Sequence, residues 1–321
     1  MMVTKLFIAL LAFCAGSATQ AQSWPVRPVR IIAPFAAGGT ADLLGSIVAG
    51  KLSESMGQSF IVENRPGAGG VLGSEFVARS APDGYTLVVS GVASHAVAPA
   101  LSSKIPFDPM KDFTHIALFG GPPSVFAVHP SMPVKDLKSF VAFGKSKPRE
   151  LTYGSPGNGT QGHLIAELFK RAAGFDMQHI PYKGASGAVV DVVAGHTHAI
   201  STTLTTAGTQ IRAGRIRALA ISSAARLSDY ANVPTYREAG YPELVATIWF
   251  SLSGPAALPA DIVNRLNSEV RRVLQLPDVR ARLLPEGIES GTLDAKAFTD
   301  FVAGEVKRWA PVVKASGAKA D

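Results

Sequence analysis

Apolar positions in this chain fall into two alternating patterns. Short apolar runs bounded by glycine, proline or polar residues read as strands at 29–33, 60–63, 86–90, 115–119 and 125–129. Further runs lie at 151–154, 177–180, 199–203, 217–222 and 245–252. Between the runs, apolar residues recur three and four apart, the period of a helix. Leu43, Leu44, Ile47, Val48 and Leu52 form one such face, Val71, Leu72, Phe76 and Val77 another, and Leu164, Ile165, Leu168 and Phe169 a third. Helices are also expected at 186–194, 259–276 and 297–313. In the second of these, Ile262, Val263, Leu266, Val270, Val273 and Leu274 share an apolar face. Strands alternating with helices in this way predict parallel sheets covered by helices on both faces.

One junction between the two patterns occurs twice. The first copy is the strand 29–33, then Pro34-Phe35-Ala36-Ala37-Gly38-Gly39-Thr40-Ala41-Asp42, then a helix. The second is the strand 151–154, then Ser155-Pro156-Gly157-Asn158-Gly159-Thr160-Gln161-Gly162-His163, then a helix. Glycine lets the backbone turn sharply and lets a ligand approach its amides, and threonine is a good first-turn cap. Such a turn presents unpaired N–H groups and the positive end of a helix dipole, which together make an anion site. Either copy alone is an ordinary strand-to-helix connection. Two copies, one in each half, predict two lobes that bring their glycine turns face to face on one ligand. Ligands of such sheets bind outside the carboxyl ends of the strands. The expected division is 22–123 with 224–321 for the first lobe and 124–223 for the second.

Composition refines this picture at its start. Lys5 followed by the apolar run 6–15 and the small residue of Thr19-Gln20-Ala21 reads as a cleaved secretory leader over 1–21. The run is too short to span a bilayer. Cys14 is the single cysteine of the 321 residues, so the exported chain relies on its core rather than on disulfides. Lipidation of Cys14 ranks below cleavage, because Phe13 is too bulky for the usual site. Lys5 is the only charged residue of the leader, so removing it takes the net charge from +7 to +6. The cations are scattered, without runs or interleaved aromatics, which argues against nucleic-acid binding.

The chemistry of catalysis is missing. There is no Gly-x-Ser-x-Gly elbow and no Walker loop, and Pro156-Gly157-Asn158-Gly159 is only a weak, partial resemblance to a dinucleotide fingerprint. Ser186 reads as a helix cap. Of the seven histidines, none has metal-site spacing. His95 and His163 stand near turns at strand ends and are kept as candidates. No cofactor, no metal and no enzymatic activity are expected. The inventory of amide-rich turns and hydroxyls is that of a binding protein. The aromatics Phe35, Trp249 and Phe250 lie near the expected cleft, although a strand aromatic is usually core.

The order of several short motifs resembles the tripartite tricarboxylate transporter receptor family, the Bug or TctC-type periplasmic solute receptors. They begin with Trp24-Pro25, Pro34 to Asp42, Val62-Glu63-Asn64-Arg65-Pro66-Gly67-Ala68-Gly69-Gly70 and Pro82-Asp83-Gly84-Tyr85-Thr86-Leu87. They continue with Tyr153-Gly154-Ser155 and Gly157, His179-Ile180-Pro181-Tyr182-Lys183-Gly184, Arg217-Ala218-Leu219-Ala220, Val233-Pro234-Thr235 and Glu238-Ala239-Gly240. The resemblance covers essentially all of the exported chain. It implies an α/β, two-lobed periplasmic binding protein, type II-like, with mainly parallel sheets and a ligand cleft between the lobes. It also implies a small organic carboxylate as ligand, a membrane transporter as partner, a monomer and a periplasmic location; the alternatives are a sensor of the same fold acting on a membrane signalling partner and, ranked last, an exported α/β enzyme. Carried over by motif, the ligand contacts are Phe35, Ala37, Gly38, Gly39, Thr40, Asp42, Ser90, Ser94 and His95 in the first lobe. In the second they are Ser155, Gly157, Asn158, Gly159, Thr160, His163, Thr202 and Thr203.

One departure matters. Where the family often carries an Asp-rich strand of the type V-D-L-M-F-D-N, this chain has Thr197-His198-Ala199-Ile200-Ser201-Thr202-Thr203. Thr202 replaces the acidic residue that would pair with a ligand amine. The expected ligand is therefore a carboxylate without an amino group.

Overall fold

The computed structural model describes residues 24–148, 150–246 and 248–318. The leader expected at 1–21, with Cys14, lies outside the described residues. Ten strands fall where the hydrophobic runs place them, with one displacement. They are β1 (Val29–Ala33), β2 (Phe60–Asn64), β3 (Thr86–Gly91), β4 (Phe113–Gly120) and β5 (Ser124–Val128), then β6 (Thr152–Ser155), β7 (Gln178–Pro181), β8 (Ala199–Thr203), β9 (Arg217–Ile221) and β10 (Phe250–Pro255). The helices that position the site are α1 (Thr40–Met56), α2 (Gln161–Ala173), α3 (Ala185–Val193), α4 (Leu204–Arg212) and α5 (Ala295–Ser316).

The strands form two sheets of identical plan, ordered β2-β1-β3-β10-β4 and β7-β6-β8-β5-β9. In each, the first three strands pair in parallel and the fourth runs antiparallel to both its neighbours. Four strands of each sheet thus run one way and one runs against them, so the mainly parallel sheets expected are mixed at one strand. The reason lies in connectivity: β5 and β10 are the strands that enter a lobe from the other one, and each inserts against the direction of its neighbours. Local hydrophobicity carries no record of that direction.

The first crossing is the short segment between β4 and β5. The second was expected near 223 and lies further on. Residues 224–244 belong to the second lobe: Tyr236 and Leu244 are buried with Phe126, Tyr153 and Phe169, and Ile221 N–H donates to Pro234 O. The chain returns between Ala246, whose N–H donates to Ser222 O, and Trp249, whose carbonyl accepts from Val92 N–H. This also explains the displaced strand. Ile248 and Trp249 are apolar because they are buried where the chain crosses between the lobes, not because they pair in the sheet.

Each lobe has its own core. Ile31, Leu44, Leu87, Leu252 and Leu266 are fully buried in the first. A further cluster joins the lobes: Phe298, Val302 and Trp309 of α5 pack with Val97 of the first lobe and Leu164 of α2 in the second. Among the described residues, no helix is long and apolar enough to cross a membrane.

Candidate functional site

The two glycine turns line one cavity, as the duplicated junction predicts, and the lobes touch through hydrogen bonds. Ala36 N–H donates to Lys183 O at 3.0 Å. Ser186 Oγ donates to Ala37 O at 2.9 Å, so Ser186 bridges the lobes and does not cap its helix, whose N-cap is Gly184. Thr40 Oγ1 lies 2.8 Å from Thr203 Oγ1 and also hydrogen-bonds Thr205. The cleft is closed.

Inside it is a cavity of about 50 Å3, room for a few water molecules. Four helix N-termini meet there. Gly39, Thr160 and Thr203 are the N-caps of α1, α2 and α4 and line the cavity, as does Ala185, the first residue of α3. None of the four has a side-chain cap. Each N-terminus carries partial positive charge on unpaired N–H groups. Val92 and Ala93 add a wall from the helix after β3, where a π-helical turn covers Ala93–Val97; such turns recur at functional sites. Phe35, Val89, Ile248 and Phe250 complete an apolar floor. Among the described residues, no charged side chain lines the cavity.

The expected ligand contacts separate into groups. Phe35, Gly39, Thr40, Ser94, Thr160 and Thr203 line the cavity. Gly157, Asn158 and Gly159 line two neighbouring grooves where the second turn faces Gly69. Ala37 and Gly38 form the seam against Ser186. The remaining six lie outside the lining. Asp42 accepts from Gly38 N–H at 2.9 Å and from Asn64 Nδ2 at 3.1 Å, which pins the first glycine turn. Ser90 is buried in the sheet against Ser251 and Ser253. Ser155 holds the second turn through Gly157 N–H and sits 2.6 Å from His179 Nε2. His163 accepts from Gly159 N–H and stacks on His179 at 4.1 Å. Thr202 is fully buried one residue from Thr203, and successive strand residues face opposite sides.

His95 is core. It is fully buried against Phe113 and Phe107, and burial holds its imidazole well below the usual range. His115 is pushed down to about 4 by burial, and His179 to about 3 by burial and then by His163. These imidazoles are neutral structural groups.

The motif comparison missed Gln161, Ser186, Thr205 and Thr206. Gln161 has a legible signal, since it follows the capping threonine and so opens the helix at the site. The interlobe threonines have none, because their meeting depends on closure.

The family profile described as "Tripartite tricarboxylate transporter family receptor" matches residues 45–318. The chain belongs to the tripartite tricarboxylate transporter receptor family. It is similar to protein BugT of Bordetella pertussis strain Tohama I, at 36% identity over 318 residues, covering 99% of this chain and 97% of that protein. It is also similar to Rpa4515 of R. palustris, a structure with adipate, at 33% identity and TM-score 0.89, covering 92% of this chain and 99% of the other. A third is MatC (Rpa3494) from Rhodopseudomonas palustris with bound malate, at 32% identity and TM-score 0.86, covering 90% and 100%. The family consists of periplasmic solute-binding receptors, not enzymes.

Proposed function

We propose that this receptor binds a small organic carboxylate without an amino group in the closed cleft and delivers it to a membrane transporter. One observation carries the reading: four helix N-termini without side-chain caps meet on a cavity whose lining, among the described residues, contains no acidic side chain. Partial positive charge from several dipoles favours an anion. With no carboxylate in the lining, a ligand ammonium would lose its water and gain no partner. The apolar floor suits a short aliphatic body. The adipate and malate seen with two relatives support the same ligand class. The leader read at 1–21 supports export to the periplasm, and the family supports a transporter as the partner.

Native mass spectrometry of the purified exported chain tests the ligand. A retained small acid, released unchanged on denaturation, is the expected result; tight binding of aspartate or glutamate contradicts it. Uptake of that acid by cells carrying the transporter membrane subunits tests the partner. Uptake should require this chain, and equal uptake without it would remove the delivery role.

A further inference from the structure

The polar side chains that line the cavity are unequal. Thr40 is bonded to Thr203 and Thr205, Thr203 to Thr206, Ser94 to His95 Nδ1, and Thr160 to Gly157 O. Gln161 differs. It is 3% exposed, lines the cavity as the first residue of α2, and neither its Nε2 nor its Oε1 has a partner among the described residues.

A buried amide offers a donor and an acceptor side by side, and leaving either unmatched is costly. A plain carboxylate answers only half of it, because its oxygens accept and cannot donate to Oε1. An ammonium would donate, but the lining has no acid to pair it. What remains is a neutral donor on the ligand: a hydroxyl, which both donates and accepts, or a carboxamide, whose N–H and C=O match the glutamine directly.

We infer that Gln161 is a specificity-determining residue that selects carboxylates carrying a hydroxyl or carboxamide group. The inference rests on the carboxylate reading above. The helix N-termini take the charge, and Gln161 reads the neutral polar group beside it. A site built to satisfy a buried polar pair discriminates against analogues lacking the partner.

Calorimetric titration of the full exported chain with matched probes tests this. The pairs are malate and succinate, 2-hydroxyadipate and adipate, and succinamate and levulinate. In each pair only the first member keeps the neutral donor. At least one first member should bind roughly tenfold tighter or more than its partner. Gln161→Met keeps the length and removes both polar atoms, so the ratio of affinities within that pair should fall to about one. Equal affinities in every pair overturn the assignment, even if the variant fails to fold. So does a preference that survives in Gln161→Met. If no probe of either kind binds, the carboxylate reading falls and this one with it. If the acids bind without preference, only the role of Gln161 falls.

Discussion

Thr40 and Thr203 stand 2.8 Å apart, hydroxyl to hydroxyl, across the line where the two lobes meet. Both are at helix N-termini, and both are buried. Their bond exists only when the cleft is shut, so it belongs to the closed state alone. Thr40→Val keeps the shape and removes the hydroxyl. A neutral hydrogen bond is worth about 1 kcal/mol, so ligand affinity should fall roughly fivefold. Calorimetric titration measures this, and an unchanged dissociation constant would mean that the bond does not stabilise the closed form.

Gly69 offers a sharper lever on closure. A Cβ placed there would sit 2.4 Å from the carbonyl oxygen of Asn158 in the opposite lobe. Its backbone has φ +62, so Gly69→Ala also carries about 1–2 kcal/mol of local strain. That strain lowers the melting temperature modestly in any state. The clash acts only on the closed state, so affinity should fall by more than the tenfold that about 1.4 kcal/mol represents. In small-angle scattering, ligand should compact the wild type and leave the variant extended. A variant that compacts like the wild type would show that the two turns yield without cost.

The fold was largely legible because strand and helix periods differ, and both are written clearly here. The pairing of β1–α1 with β6–α2 was visible as a repeated glycine turn, and the two sheets share one plan. The direction of β5 and β10 was not visible, nor was the second crossing at 246–249. An apolar stretch such as Val245 to Trp249 reads the same whether it pairs in a sheet or links two lobes. At the site, motif order reached Phe35, Gly39, Thr40, Ser94, Thr160 and Thr203. It also gathered neighbours such as His95 and Ser155, which shape the turns or fill the core from one or two positions away. Proximity along a motif does not distinguish lining a cavity from holding up its wall. Contacts such as Ser186 to Ala37 are made by closure between distant segments, and no local pattern encodes them.

Buried imidazoles make stability fall in acid. His115 is held by Pro109 O at Nε2 and by Ser253 Oγ at Nδ1, and burial pushes it down to about 4. His95 is shifted in the same direction. An unfolded histidine takes a proton near pH 6.5. Between pH 6.5 and 4 the unfolded chain therefore binds protons that the folded chain refuses. The contribution is full above pH 6.5 and is lost as pH falls, by up to about 1.4 kcal/mol per pH unit for each group. Urea denaturation at pH 7.5, 6 and 5 should show the decline, and His115→Asn should flatten it. Equal slopes for both proteins would contradict a neutral buried His115.

The most direct test of the account is thermal denaturation of the exported chain with and without saturating short mono- and dicarboxylates. At a hundredfold excess over its dissociation constant, a bound ligand adds about 2.7 kcal/mol to stability. The account predicts an upward shift with at least one carboxylate and none with the matching amide or ester, which lacks the charge that four helix N-termini would hold. A shift with the neutral analogue and none with any carboxylate would contradict it, and the convergence of dipoles on the cleft would then have another purpose.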